Sequence, residues 1–171
     1  MGVFGGKGVD KKTYVAFITD YKSMMYRIAF GYLGDEAKAL EAVDEAVYLG
    51  YVHRKELREP SFFKTWLTRI LINECYRILR MDKREVIMEV LPEQGQSFPE
   101  GTLSIKLAVQ ALPEDIRKVI VLRYFGGYTI ADTAIILGIP EGTVATRSRK
   151  ALKVLRVELS EEEGGDCYDR R

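Results

Sequence analysis

The chain has 171 residues, enough for one ordinary domain or two small helical modules with thin cores. Hydrophobic residues make up 47% of it, yet no stretch approaches the ~20 consecutive apolar residues of a membrane span, so a soluble protein without membrane insertion is expected. The formal charge of +1 hides an uneven distribution: Gly142 to Val157 carries five basic residues and no acidic one, whereas Asp82 to Ser104 carries five acidic against two basic. A concentrated cationic stretch in a near-neutral chain is the electrostatic footprint of a nucleic-acid binder.

The start, Met1-Gly2-Val3-Phe4-Gly5-Gly6, lacks a basic region followed by an apolar block, which predicts a cytoplasmic protein. Apolar residues then recur at helical spacing from Thr13 to Leu33, and Gly34-Asp35 supplies a stop and a fresh N-cap. A second helix is expected over about Glu36 to Val52. A third runs from about Ser61 to Met81, with Ser61 placed to cap it after the Arg58-Glu59-Pro60 turn. Cys75 falls in the apolar pattern of this helix and reads as a buried thiol; the sole histidine, His53, reads as a surface residue. Between Asp82 and Ser104 the helical period fades among Pro92, Gly95, Pro99 and Gly101, predicting an extended, mobile linker. A helix from Ser104, another from Pro113 to Tyr124, the Gly126-Gly127 turn and two short helices divided by Gly138-Ile139-Pro140 complete the chain. No comparable strand pattern occurs, so the fold class is all-α, with two small helical domains joined by a flexible linker.

The segment from Thr129 to Leu155 carries the sharpest signal. A helix-turn-helix needs a small residue where its helices cross, a glycine at the turn and apolar residues that pin the second helix; Ala134, Gly138 and Val144 stand at those places. At about 100° per residue, Val144, Ala151, Val154 and Leu155 share one side of the second helix, and Thr146, Arg149, Lys150, Lys153 and Arg156 the other. Arginine and lysine on such a face can reach guanine or phosphate in a major groove. Arg147 lies at the margin and is assigned to phosphate or an internal pair before base reading. In the third helix Leu67, Leu71, Cys75, Ile78 and Leu79 form the buried side, and the opposite side interleaves Phe62, Trp66, Arg69, Asn73, Tyr76, Arg77 and Arg80. Rings beside guanidinium groups suit unstacked bases and their phosphates, although Phe62 and Trp66 could equally pack on a neighbouring helix.

With both modules in view, the chain resembles the extracytoplasmic-function class of bacterial RNA polymerase sigma factors. The most specific pieces are Phe63-Lys64-Thr65-Trp66-Leu67-x-Arg69-Ile70-x-x-Asn73, Leu112-Pro113-Glu114, Val119-x-x-Leu122-Arg123-Tyr124-Phe125 and Leu137-Gly138-Ile139-Pro140-Glu141-Gly142-Thr143-Val144-x-x-Arg147. The resemblance implies a first domain over 10–81 that binds core RNA polymerase and the melted minus-10 element, a linker over 82–104, a helix-turn-helix domain over 105–159 that reads the minus-35 element, and an acidic tail over 160–171. It implies start-proximal contacts from Ser61, Phe62, Lys64, Trp66, Arg69, Asn73, Tyr76, Arg77 and Arg80, and upstream contacts from Thr143, Thr146, Arg147, Arg149, Lys150 and Lys153. Glu41, Asp44 and Glu45 fall at the family's polymerase-binding surface. The expected partners are therefore core RNA polymerase, promoter DNA and an anti-sigma factor, with no cofactor, no metal and no enzymatic activity. Three positions depart from the family pattern: Asp44 replaces an amide, Arg77 stands where an acid is common, and Ala145 where Lys or Arg is common. A stand-alone helix-turn-helix regulator would explain residues 129–157 but not the aromatic and basic face of the third helix.

Overall fold

The computed structural model describes the backbone of residues 8–85 and 100–165 and the side chains of 8–82 and 105–156. Among these the chain is helical throughout, without strands: α1 (Lys11–Leu33), α2 (Glu36–His53), a 3-10 turn (Pro60–Phe62), α3 (Phe63–Glu85), α4 (Glu100–Ala111), α5 (Glu114–Ile120), a π-turn (Val121–Phe125), α6 (Ile130–Leu137) and α7 (Glu141–Gly165). None of these helices is long and apolar enough to cross a membrane.

Local chemistry sets most boundaries. Asp10 caps α1 by accepting from the Thr13 amide at 2.9 Å, and this bond holds its carboxyl below the usual range. Gly34 ends α1 in the left-handed region at φ 70°, and Asp35 caps α2 through the Lys38 amide. Thr129 and Asp132 form a reciprocal capping box at the start of α6, and Gly138 closes that helix at φ 65°.

Four boundaries or faces differ from the sequence reading. Ser61 caps nothing: it lies inside the 3-10 turn that Pro60 opens, and α3 grows directly from that turn. The segment read as a linker is helical at both ends, because α3 continues to Glu85 and α4 begins at Glu100. Asp82 contributes by pairing with Lys38 of α2 at 2.6 Å, which ties the end of α3 to the first module. The expected extension and mobility of the remaining linker fall outside the described residues. Finally, α7 is no short helix but runs 25 residues to Gly165, into the segment read as a tail. On it Val154 is 38% exposed, and the inner side is formed by Val144, Ser148, Ala151 and Leu155.

Helices α1, α2 and α3 enclose the largest core, in which Met25, Ile28, Tyr32, Leu67, Leu71 and Cys75 are almost wholly buried. That core does not stop at the module boundary. Val109, Val121, Leu122, Tyr128 and Ile136 of the second module belong to the same apolar cluster, while the helix-turn-helix keeps only small clusters of its own around Ile116, Ile120 and Ala151 and around Val119, Ala134 and Val144. The contact also widens the buried side of α3: Thr68 and Ile72 are covered although the expected core stripe omits both.

Burial pushes the Cys75 thiol up to about 12, which leaves roughly one thiol in ten thousand ionised at pH 8. Iodoacetamide at pH 8 is therefore expected to spare Cys75 in the native protein and to modify it once denaturant is added, as peptide mass spectrometry would read. Native-state labelling at Cys75 would mean that α3 is not packed as described.

Candidate nucleic-acid interface

The outer side of α7 is built by default. Its inner side is anchored in both small clusters of the second module, so Arg149, Lys150 and Lys153 are left on the exposed side. Pro140 and Glu141 open the helix, with the Thr143 and Val144 amides donating to the Pro140 carbonyl. Thr146 is exposed, and its hydroxyl donates back to the Gly142 carbonyl at 2.8 Å. Thr143, Thr146 and Lys150 line a shallow depression of about 430 Å³ together with Asp115 and Arg147. Arg147 does make an internal pair, lying 3.2 Å from Asp115 of α5.

On α3 the aromatic and basic residues divide. Phe62 is 55% exposed at the head of the helix, and Ser61 and Lys64 are exposed beside it. Lys64 sits 4.6 Å over the Tyr21 ring. Trp66 is partly buried against Phe63 of the core, the packing that one of its two readings expected. Farther along, Asn73, Tyr76, Arg77, Arg80 and Met81 line a depression of about 410 Å³. Tyr76 carries two cations on its ring, Lys118 of α5 at 4.5 Å and Arg80 at 5.4 Å.

Arg69 and Arg77, expected to face nucleic acid, have protein partners. The Arg69 guanidinium donates to the Ile135 carbonyl at 2.6 Å and to the Ile136 carbonyl at 3.2 Å, in the last turn of α6 where helix carbonyls lack partners. Arg77 donates to Glu74 at 2.7 Å and lies 3.6 Å from Glu41 of α2; the bond to Glu74 chiefly raises its already high pKa. The charge reversal at this position thus links α3 to the acidic helix beside it.

On α2, Glu41 and Asp44 are exposed and Glu45 is half-buried. Sequence reasoning missed the apolar residues among them: Leu40 is 50% and Tyr48 61% exposed, one and four residues from the acids. Helical spacing alone would have found them, since Leu40, Asp44 and Tyr48 follow each other at i, i+4 and i+8. Tyr48 and Asp44 also border an apolar groove of about 480 Å³ between α1 and α2, with Val15, Ile18 and Val47. Lys118 and Asp115 were likewise missed, because only the docking of the modules brings Lys118 to Tyr76 of α3, and only packing within the second module brings Asp115 to Arg147 of α7. Among the described residues no cluster of histidines, cysteines and carboxylates could hold a metal ion.

A helix-turn-helix with an open cationic side, joined to a helix bearing exposed rings and guanidinium groups, defines a two-module, all-helical DNA-binding protein. Comparison with known proteins sharpens this. Residues 17–85 match the model of sigma-70 region 2, and residues 102–155 that of sigma-70 region 4. The RNA polymerase sigma factor SigV of Bacillus subtilis is 30% identical, over 92% of this chain and 97% of that protein, and the ECF RNA polymerase sigma factor SigW of the same organism is 27% identical, over 88% and 90%. Among solved structures, the sigma factor RpoE of Bartonella quintana, crystallised with the anti-sigma factor NepR, superposes with a TM-score of 0.69 at 25% identity, covering 85% of this chain and 97% of that one. CnrH, solved with the cytosolic domain of CnrY, shares the fold with a TM-score of 0.66 at 16% identity over 89% of this chain and 90% of that one. The chain belongs to the sigma-70 family of RNA polymerase sigma factors, in its extracytoplasmic-function class.

The capping box fixes the first helix of the helix-turn-helix, so Thr129→Ala is expected to destabilise the second module by about 1 kcal/mol. Thermal unfolding by circular dichroism checks this, and a melting curve superimposable on that of the parent would mean that the cap does not hold α6 in place.

Proposed function

We propose that the three surfaces divide the work of a sigma factor among three helices. The acidic and apolar side of α2, with Glu41, Asp44 and Glu45 beside Leu40 and Tyr48, holds core RNA polymerase. The exposed side of α3, from Ser61, Phe62, Lys64 and Trp66 through Asn73, Tyr76 and Arg80, takes up the melted start-proximal strand, with Arg69 and Arg77 joining once their protein partners release them. The outer side of α7 reads the upstream duplex through Thr143, Thr146, Arg149, Lys150 and Lys153, and Arg147 positions α7 by its pair with Asp115. On this reading residues 10–81 and 105–159 are the two functional domains and the protein works in the cytoplasm, as an initiation factor with no catalytic centre of its own. The similar sigma factor RpoE was captured with the anti-sigma factor NepR, and an inhibitor of that kind is a partner we assign to this chain as well.

The observation that carries the reading is the separation of two cationic surfaces of different chemistry. The side of α3 has rings between its charges and suits unstacked bases, whereas the side of α7 has none and suits a groove. Run-off transcription with purified core polymerase should give start sites only when this protein is added. Glu41→Lys with Asp44→Lys should abolish co-purification with the core while leaving helical content intact, and unchanged co-purification would remove the role given to α2.

The two DNA surfaces should fail differently. Arg149→Ala or Lys150→Ala should weaken promoter recruitment by roughly 1–3 kcal/mol, the worth of a good bidentate base contact, while strand opening in the bound complex survives. Asn73→Ala or Tyr76→Ala should bind duplex promoter but open it poorly, and a template already mismatched at the start-proximal element should restore much of the activity. Permanganate footprinting on matched and pre-melted templates measures this. Equal defects on both templates would return Asn73 and Tyr76 to a structural role.

A further inference from the structure

Arg77 stands where α3 passes the acidic side of α2, and three carboxylates act on it. Glu74 accepts from its Nε at 2.7 Å, Glu41 lies 3.6 Å from its Nη2, and the charge of Glu45 adds to the attraction. Its Nη1 donates to the Met81 sulfur. A guanidinium carries its donors in a rigid fork, so these contacts together fix where the positive charge sits. It sits against the surface to which polymerase binding is assigned above.

The two acidic partners differ in kind. The Glu74 side chain is only 12% exposed, and a carboxylate so placed is costly without a cation beside it. Glu41 is 60% exposed, and a solvent-facing ion pair is worth little by itself. Arg77 is therefore anchored by Glu74, and its approach to Glu41 follows from that anchor. The register of the helices supports the same placement, because Lys38 of α2 pairs with Asp82 of α3 at 2.6 Å, one turn from Glu41 and from Arg77 respectively. Lys38 is neutralised by that pair, which leaves Arg77 as the cation set against Glu41 and Glu45. A partner that takes up Glu41, Asp44 and Glu45 must bring cationic groups of its own, and like charges brought together across an interface oppose binding.

We propose that Arg77 is a determinant of polymerase binding that acts against it: an internal counter-ion, held in place by Glu74, that occupies Glu41 and repels the cationic groups by which polymerase would take that carboxylate. The affinity for the core is thereby set below what the acidic side of α2 alone would give. The proposal rests on the role given to α2 above, and its test keeps the two apart.

Unlabelled parent and variants compete with the fluorescently labelled full chain for purified core RNA polymerase, and anisotropy reads their relative affinities. Arg77→Gln should bind the core about threefold to fivefold more tightly than the parent at about 0.1 M salt, the scale of one exposed charge at close range. The gain should shrink toward 1 M as the screening length falls from ~10 Å to ~3 Å. Arg77→Gln with Glu74→Gln leaves no orphaned carboxylate in the fold and should gain as well. Arg77→Lys keeps the charge and should stay near the parent. In a Glu41→Gln background the gain from Arg77→Gln should fall to about half or less, since the double-mutant cycle isolates the pair. Unchanged or weaker binding by both glutamine variants overturns the proposal, as does equal tightening by Arg77→Lys or an equal gain without Glu41. Glu41→Gln alone then locates the failure: if it weakens core binding, α2 keeps its role and only the counter-ion falls, and if it changes nothing, the role of α2 falls with it.

Discussion

The close approach of α1 to the second module is the contact on which the rest of the architecture depends. A helix-turn-helix unit of this size buries little apolar surface by itself, and small domains are correspondingly marginal. Here its own clusters are small, and much of its apolar surface, from Val109 through Ile136, is completed by α1 and α3. Closure of that kind requires backbones to come near each other. Gly31 admits the Phe125 ring and Gly126 faces Ile28, so the two modules meet along a seam where bulk has been removed.

Around that apolar seam the bonds are polar and shared with function. Gln110 and Arg69 both satisfy helix-terminal carbonyls, which are the cheapest acceptors to lend because water serves them equally well when the modules separate. Tyr128 and Thr68 are different, since their hydroxyls are buried with each other, and burial raises the Tyr128 phenol above its ordinary range. The bonds of Gln110 and Arg69 are thus exchangeable with solvent, whereas the apolar seam and the Tyr128–Thr68 pair are not. Interfaces between domains of one chain commonly resemble transient protein contacts, for which relative motion is the default expectation.

What the sequence could disclose follows the range of the forces involved. Gly34-Asp35, Thr129 and Gly138 were legible because caps and left-handed turns are decided within four residues. The alternation of α3 into an apolar and a ring-bearing side was legible for the same reason, and so was the marginal placement of Arg147, which stands close enough to the packed side to find Asp115. Ser61 failed as a cap because Pro60 opens a tighter turn first. Val154 failed as a core residue because the partner surfaces of α7 are α4, α5 and α6, and their position rotates the buried side toward Ser148. The burial of Thr68 and the partners of Arg69 depend on a module sixty or more residues away in the chain. No local pattern encodes that. A reading by helical wheel assigns such residues to solvent or to nucleic acid, and only the fold reveals that protein occupies the place first.

This sharing of residues has a physical rationale in the chemistry of arginine. A guanidinium presents donors in a rigid fork, so two carbonyl oxygens at the end of a helix and two oxygens of a phosphate satisfy it in similar geometry. Arg69 can therefore exchange one set of acceptors for the other without being left unpaired, and the desolvation that makes an orphaned charge so costly is avoided at both ends of the exchange. Lysine at Lys118 behaves comparably over the Tyr76 ring, where a cation and a base compete for the same π-surface. Side chains that suit single-stranded nucleic acid also suit the polar ends and exposed rings of a neighbouring helical module. In this chain the second module already takes up part of that surface, through the carbonyls of Ile135 and Ile136 and the ammonium group of Lys118.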